Sequence, residues 1–108
     1  MDEPIKSSAG TGMGVNQLLE MLRPCKDLAR QKYKADIKGI FGSYARSEEN
    51  GQSDIDVLVE FEEEANLLDL ISLSMFLQEK LGRPVDVVPQ SALREELRPT
   101  IMKEMIYL

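Results

Sequence analysis

Three short apolar runs, each set apart from the next by polar or helix-like sequence, constrain this chain most. They are residues 36–41 (DIKGIF), 54–61 (DIDVLVEF) and 83–88 (RPVDVV). Each is too short for a typical helix, and their Ile and Val content suits strands. Residues 15–34 place Leu18, Leu19, Leu22, Leu28 and Ala29 at helical spacing, with Pro24 breaking or restarting the helix. Residues 67–81 predict a strong helix capped by Gly82. After Pro89, Ser91 is placed to cap a helical turn, and residues 93–106 predict a last helix interrupted or started near Pro99. Strands alternating with helices imply a small α/β fold, a mixed three- to four-stranded sheet flanked by helices. Residues 15–108 make one domain. Residues 1–14 (MDEPIKSSAGTGMG) are rich in Gly and Ser without hydrophobic period. They are read as a disordered leader, with Met13 as an alternative start.

Composition narrows the chemistry. There is no histidine, which removes imidazole zinc sites and any Ser-His or Cys-His catalysis. Cys25 is the single cysteine, so no internal disulfide forms and a reducing cytoplasm is expected. The net charge of −6 opposes phosphate backbones, so direct nucleic-acid binding is not expected. No apolar run is long enough to span a membrane, and no signal-peptide pattern opens the chain. Catalysis is left to carboxylates, hydroxyls, Lys, Arg or a metal.

The carboxylates stand where such chemistry needs them. Asp54 and Asp56 are two apart at the head of a strand, so both side chains project from one face with Cα atoms about 6.6 Å apart. Ile55 and Val57 then point the other way, into the core. Two desolvated carboxylates repel without a partner, and hard oxygen ligands suit magnesium. Asp86 lies alone inside PVDVV and joins them if its strand is the neighbour. Gly42-Ser43 ends the first strand ahead of a helical turn over Tyr44–Arg46. There glycine admits a phosphate, free N–H groups receive it, and the serine hydroxyl adds a donor. Arg46, one turn on, is within reach of the same phosphates. Alone, each piece also reads as ordinary structure: surface aspartates on an edge strand, a solvent-facing Asp86, a tight turn with a Ser cap, a solvated arginine. Residues 47–53 read as a polar loop in which Ser53 caps the turn before Asp54.

The spacing joins these pieces. Gly42-Ser43, ten residues, then Asp54-x-Asp56 resembles the G-S-x10-D-x-D signature of polymerase-β-like nucleotidyltransferases. IFGSYARSEENGQSDIDVLVEFE, GRPVDVV and LREELRPTIMKEMIYL together resemble the minimal nucleotidyltransferase (MNT) family over residues 36–108. One departure is Ser47, where the family usually has glycine. The resemblance implies the small nucleotidyltransferase fold and two-metal nucleotidyl transfer, with Asp54, Asp56 and Asp86 as the catalytic residues. These would hold two magnesium ions, with Asp86 also helping to activate the attacking hydroxyl, while Gly42, Ser43 and Arg46 grip the triphosphate of ATP. It further implies a HEPN-domain toxin as partner, with adenylylation of a toxin tyrosine as the reaction of an antitoxin. With no extra acceptor-binding domain expected, the acceptor brings its own surface. A non-catalytic module that masks a HEPN partner and a small-molecule nucleotidyltransferase are the alternatives.

The helix at residues 67–81 adds to the partner reading. Leu67, Leu68, Leu70, Ile71, Met75, Leu77 and Leu81 form one broad apolar stripe, expected to face the core. Asp69, Ser72, Glu79 and Lys80 define the opposite face, with Phe76 among them as a candidate contact. Met102, Met105 and Tyr107 are candidates to extend such a patch.

Overall fold

The computed structural model describes residues 14–48 and 54–108. Most of the expected leader, and Ser53, lie outside them. Helix α1 (Val15–Leu22) buries Leu18, Leu19 and Leu22 on one side. Pro24 has no backbone N–H to continue α1 and stands instead at the start of α2 (Cys25–Tyr33), which buries Cys25 and Ala29. Strand β1 (Ala35–Phe41) runs antiparallel to β2 (Ile55–Phe61), and β3 (Val85–Pro89) runs parallel to β2. A two-residue strand, β4 (Ile106–Tyr107), closes the sheet on the far side of β1, giving the order β3-β2-β1-β4.

The last part of the chain departs from the expected long helix. A 3-10 turn spans Gln90–Ala92, and α4 is only Arg98–Glu104, with Pro99 in its first turn. Met105 then turns extended, and the final residues pair with β1. Tyr107 therefore lies on the β4 edge, across the sheet from β3, and Met105 is buried, so neither extends a patch on the long helix.

That helix, α3 (Leu67–Leu81), has the expected bounds and a well-built start. The side chain of Asn66 accepts from the Asp69 N–H at 3.1 Å, and the Asn66 N–H donates to Asp69 Oδ2 at 3.0 Å. Gly82 closes it in the left-handed conformation at φ 68°. Its orientation corrects the sequence reading. Leu73, Leu77 and Leu81 are buried, with Leu70 and Phe76 packed against the core. Leu67, Leu68, Ile71 and Met75 are exposed, at 68%, 68%, 47% and 64%. Residues 70, 73, 77 and 81 recur at the helical spacing of one face, and the stripe drawn without Leu73 was turned away from it. Phe76 stacks obliquely on Tyr33, ring centroids 5.6 Å apart, beneath the Lys80 ammonium.

One core joins the helices to the sheet, from Leu18 and Leu22 through Ile37, Ile40, Ile55, Val57 and Val59 to Leu73 and Leu77. Leu58, the alternate residue of β2, is buried apart from this cluster, as is Met105. The sheet thus has a helix-covered face and a second face, and the second carries the aspartates.

Candidate active site

Period two along β2 fixes the direction of the carboxylates. Ile55 and Val57 are fully buried in the core, so Asp56 projects from the other face, and Asp54, just ahead of the strand, does the same. On β3, Val85 and Val87 are buried while Asp86 is exposed. The parallel register sets Asp86 directly beside Asp56, on strands about 4.8 Å apart. The antiparallel register sets Phe41 opposite Asp56, so the chain leaving β1 delivers Gly42 to the same spot.

Gly42 has φ 77°, and a β-carbon there would collide with Oδ2 of Asp56. Glycine is needed here for its left-handed backbone and because the carboxylate lies against its Cα. Beyond it the chain forms tight turns instead of a regular helix. The Arg46 N–H donates to the Gly42 carbonyl at 3.1 Å, that of Ser47 to Tyr44 at 3.2 Å, and that of Glu48 to Ser43 at 2.8 Å. These bonds curl the backbone so that the amides of Ser43, Tyr44 and Ala45 stand ahead of the first bonded one, as at a helix start. Tyr44 anchors the turn: it is 1% exposed, and Arg83 Nη1 donates to its hydroxyl at 3.1 Å. Neither Tyr44 nor Arg83 carried a signal in the sequence, because a buried tyrosine and its partner 39 residues away leave no spacing pattern.

Arg46 is placed differently from its expected role. Its guanidinium pairs with Glu48 at 3.0 Å and with Glu104, at the end of α4, at 3.5 Å. Its charge still reaches Asp56 and opposes the rise of that carboxyl's pKa. Exposed pairs of this kind contribute little and are readily screened, so an anion at the turn competes with them. Ser47 sits at φ 59°, in the left-handed region that glycine adopts without steric penalty.

Asp56 is the electrostatic centre. Burial, then the negative charges of Asp86 and Asp54, push its pKa up to about 6, against the opposing pull of Arg46. Asp54 and Asp86 are therefore both close enough to act on Asp56. Among the described residues no group of three His, Cys, Asp or Glu stands as a ready-made metal cage. Hard oxygen donors that repel one another and are partly desolvated suit a hard divalent cation, whose charge would draw them together. Cys25, by contrast, is a core group: burial pushes its thiol pKa up and its Sγ lies 3.5 Å from the Met21 carbonyl oxygen.

A small mixed sheet, with a glycine-serine turn leaving β1 and aspartates on β2 and β3, has the make-up of a nucleotidyltransferase. The Nucleotidyltransferase domain family matches residues 22–108, and the chain belongs to it. It is 35% identical over 94 residues to the protein adenylyltransferase MntA of Thermococcus cleftensis, covering 87% of this chain and 95% of that one. A solved "putative minimal nucleotidyltransferase" superposes with a TM-score of 0.78 at 35% identity, covering 92% of this chain and all of the other. A toxin-antitoxin crystal structure with AMP-PNP shares the fold, with a TM-score of 0.63 at 21% identity over 88% of this chain and 72% of that one.

Proposed function

We propose that this nucleotidyltransferase moves AMP from ATP to a tyrosine hydroxyl of a HEPN-domain toxin and so acts as its antitoxin. The observation that carries this reading is the meeting of Gly42, Asp56 and Asp86 at one point of the sheet. The kinship with protein adenylyltransferases supports a protein acceptor, and the fold shared with a nucleotide-bound toxin-antitoxin complex supports ATP and a toxin.

In this reaction the acceptor oxygen bonds to the α-phosphorus, the bond from that phosphorus to the bridging oxygen breaks, and pyrophosphate leaves. The turn at Gly42 and Ser43 holds the triphosphate through its backbone amides and the serine hydroxyl, and Arg46 exchanges a carboxylate partner for a phosphate. Asp54, Asp56 and Asp86 would hold two magnesium ions, which would supply neutralisation of the phosphates and charge stabilisation for the attacking and leaving oxygens. Asp86, on the edge strand β3, would help hold the ion that lowers the pKa of the acceptor hydroxyl, whose proton passes to solvent as the new bond forms. The reaction belongs in the cytoplasm, where ATP is plentiful. Among the described residues no helix is long and apolar enough to cross a membrane.

Intact-protein mass spectrometry of the protein encoded beside this chain, co-expressed with it, tests the reading. The wild type adds the mass of one or more AMP units to a tyrosine. Asp56→Asn leaves the complex intact and lowers modification a hundredfold or more, as loss of a charge-stabilising group commonly does. A neighbour that is never modified, yet is inhibited equally by both, identifies a masking module instead.

A further inference from the structure

The outward face of α3 lies outside the Gly42-Ser43 turn and carries four of the six large hydrophobic residues exposed among the described residues. Leu67, Leu68, Ile71 and Met75 recur at i, i+1, i+4 and i+8 and line one side of the helix. Large side chains left in water along one stripe mark a contact surface more often than chance exposure does.

Two observations say what covers it. The first is continuity with the reaction centre. Between α3 and β3 runs a groove of about 270 Å³, walled by Ile71 and Met75 on one side and by Val85, Asp86 and Val87 on the other. A surface seated on the stripe therefore reaches the edge strand β3, and round that edge the Asp86 side chain stands on the other face of the sheet. The second is charge. Glu62, Glu63 and Glu64 stand exposed just ahead of the stripe, Glu79 beyond Met75, and Asp86 at the groove. In a chain of net charge −6, a second copy packed across a two-fold axis would set these acidic rims against their own images. A partner with an apolar centre and a Lys- or Arg-bearing rim meets both features.

We infer that the outward face of α3 is the dock for the protein acceptor, an apolar surface with a basic rim that presents its hydroxyl at the Asp86 edge of the sheet. This rests on the transfer reading above for the hydroxyl, but not for the contact itself. The face supplies what the nucleotide turn cannot, a means of choosing one protein among many hydroxyl-bearing surfaces.

The test compares wild type with Ile71→Asp, Met75→Asp and the milder Leu68→Gln, and with Gln31→Asp on α2 as a control of equal charge. The protein encoded beside this chain is the probe, read by co-purification and by intact mass. All four positions are exposed, so the variants are expected to keep the wild-type melting temperature and affinity for magnesium-ATP. The α3 aspartate variants lose at least tenfold in both partner binding and modification, Leu68→Gln loses less, and Gln31→Asp loses neither. A neighbour bound through α3 but never modified supports the dock while contradicting the transfer. A neighbour modified equally by all variants overturns the dock and leaves the transfer standing. A wild type that light scattering shows to be a dimer, made monomeric by Ile71→Asp, overturns the dock in favour of a second copy.

Discussion

At the scale of single residues, Asp56 shows how a site can cost its fold stability. Its carboxyl is desolvated and faces Asp86 and Asp54, so its pKa in the folded protein is about 6, raised from the ordinary 3.8. A group raised on folding contributes its full stability below the unfolded value and loses it as pH rises through the folded one. The metal-free domain is therefore expected to lose stability between about pH 4 and pH 6 from this group, and to level off above. Asp56→Asn removes that slope and leaves the metal-free protein more stable than wild type at pH 7.5. Urea denaturation across this range, with a chelator present, checks it; a wild type whose stability rises over the same interval, with Asp56→Asn unchanged from it, contradicts it. The aspartates were legible in the sequence because period two exposes them on a strand otherwise made of Ile and Val. The meaning of Gly42 was legible only in part. Phosphate approach was the expected reason for a glycine, and the contact with the Asp56 carboxylate adds a second, which depends on a strand register that spacing does not reveal.

At the scale of elements, the order of the first three strands and of the helices between them followed from periodicity, while the rotation of one helix did not. Apolar residues occupy most of the circumference of α3, so several stripes fit its sequence nearly as well. Tertiary packing selected the one through Leu73, Leu77 and Leu81. The consequence is measurable. Leu77→Ala removes a fully buried side chain and is expected to cost about 2–5 kcal/mol, whereas Leu67→Ala, 68% exposed, stays within about 0.5 kcal/mol. Equal costs in a chemical denaturation series would mean that the helix is rotated back toward the sequence reading. The C-terminal helix was over-read for a different reason. Residues 93–97 have adequate helix propensity, but the chain turns there before α4 starts at Arg98, and pairing with β1 draws the last residues into β4. Short strands of this kind are held by their neighbour and carry little local signal.

At the scale of the whole molecule, the sheet order β3-β2-β1-β4 explains the site. Placing β2 between a parallel and an antiparallel neighbour brings the head of β3 and the tail of β1 to the same end, and with them Asp86 and Gly42. The helices cover the opposite face, so the carboxylates are supported from behind by a rigid core and left open in front. The central claim is that these parts form one magnesium-nucleotide site. Thermal melts with and without magnesium and ATP test it most directly, because a ligand that binds only the folded state stabilises it by about 2.7 kcal/mol at a hundred times its dissociation constant. The wild type is expected to gain several degrees only when magnesium and ATP are present together, and Asp54→Asn to lose most of that gain while keeping its fold. No shift in the wild type, or an equal shift in Asp54→Asn, would contradict the account.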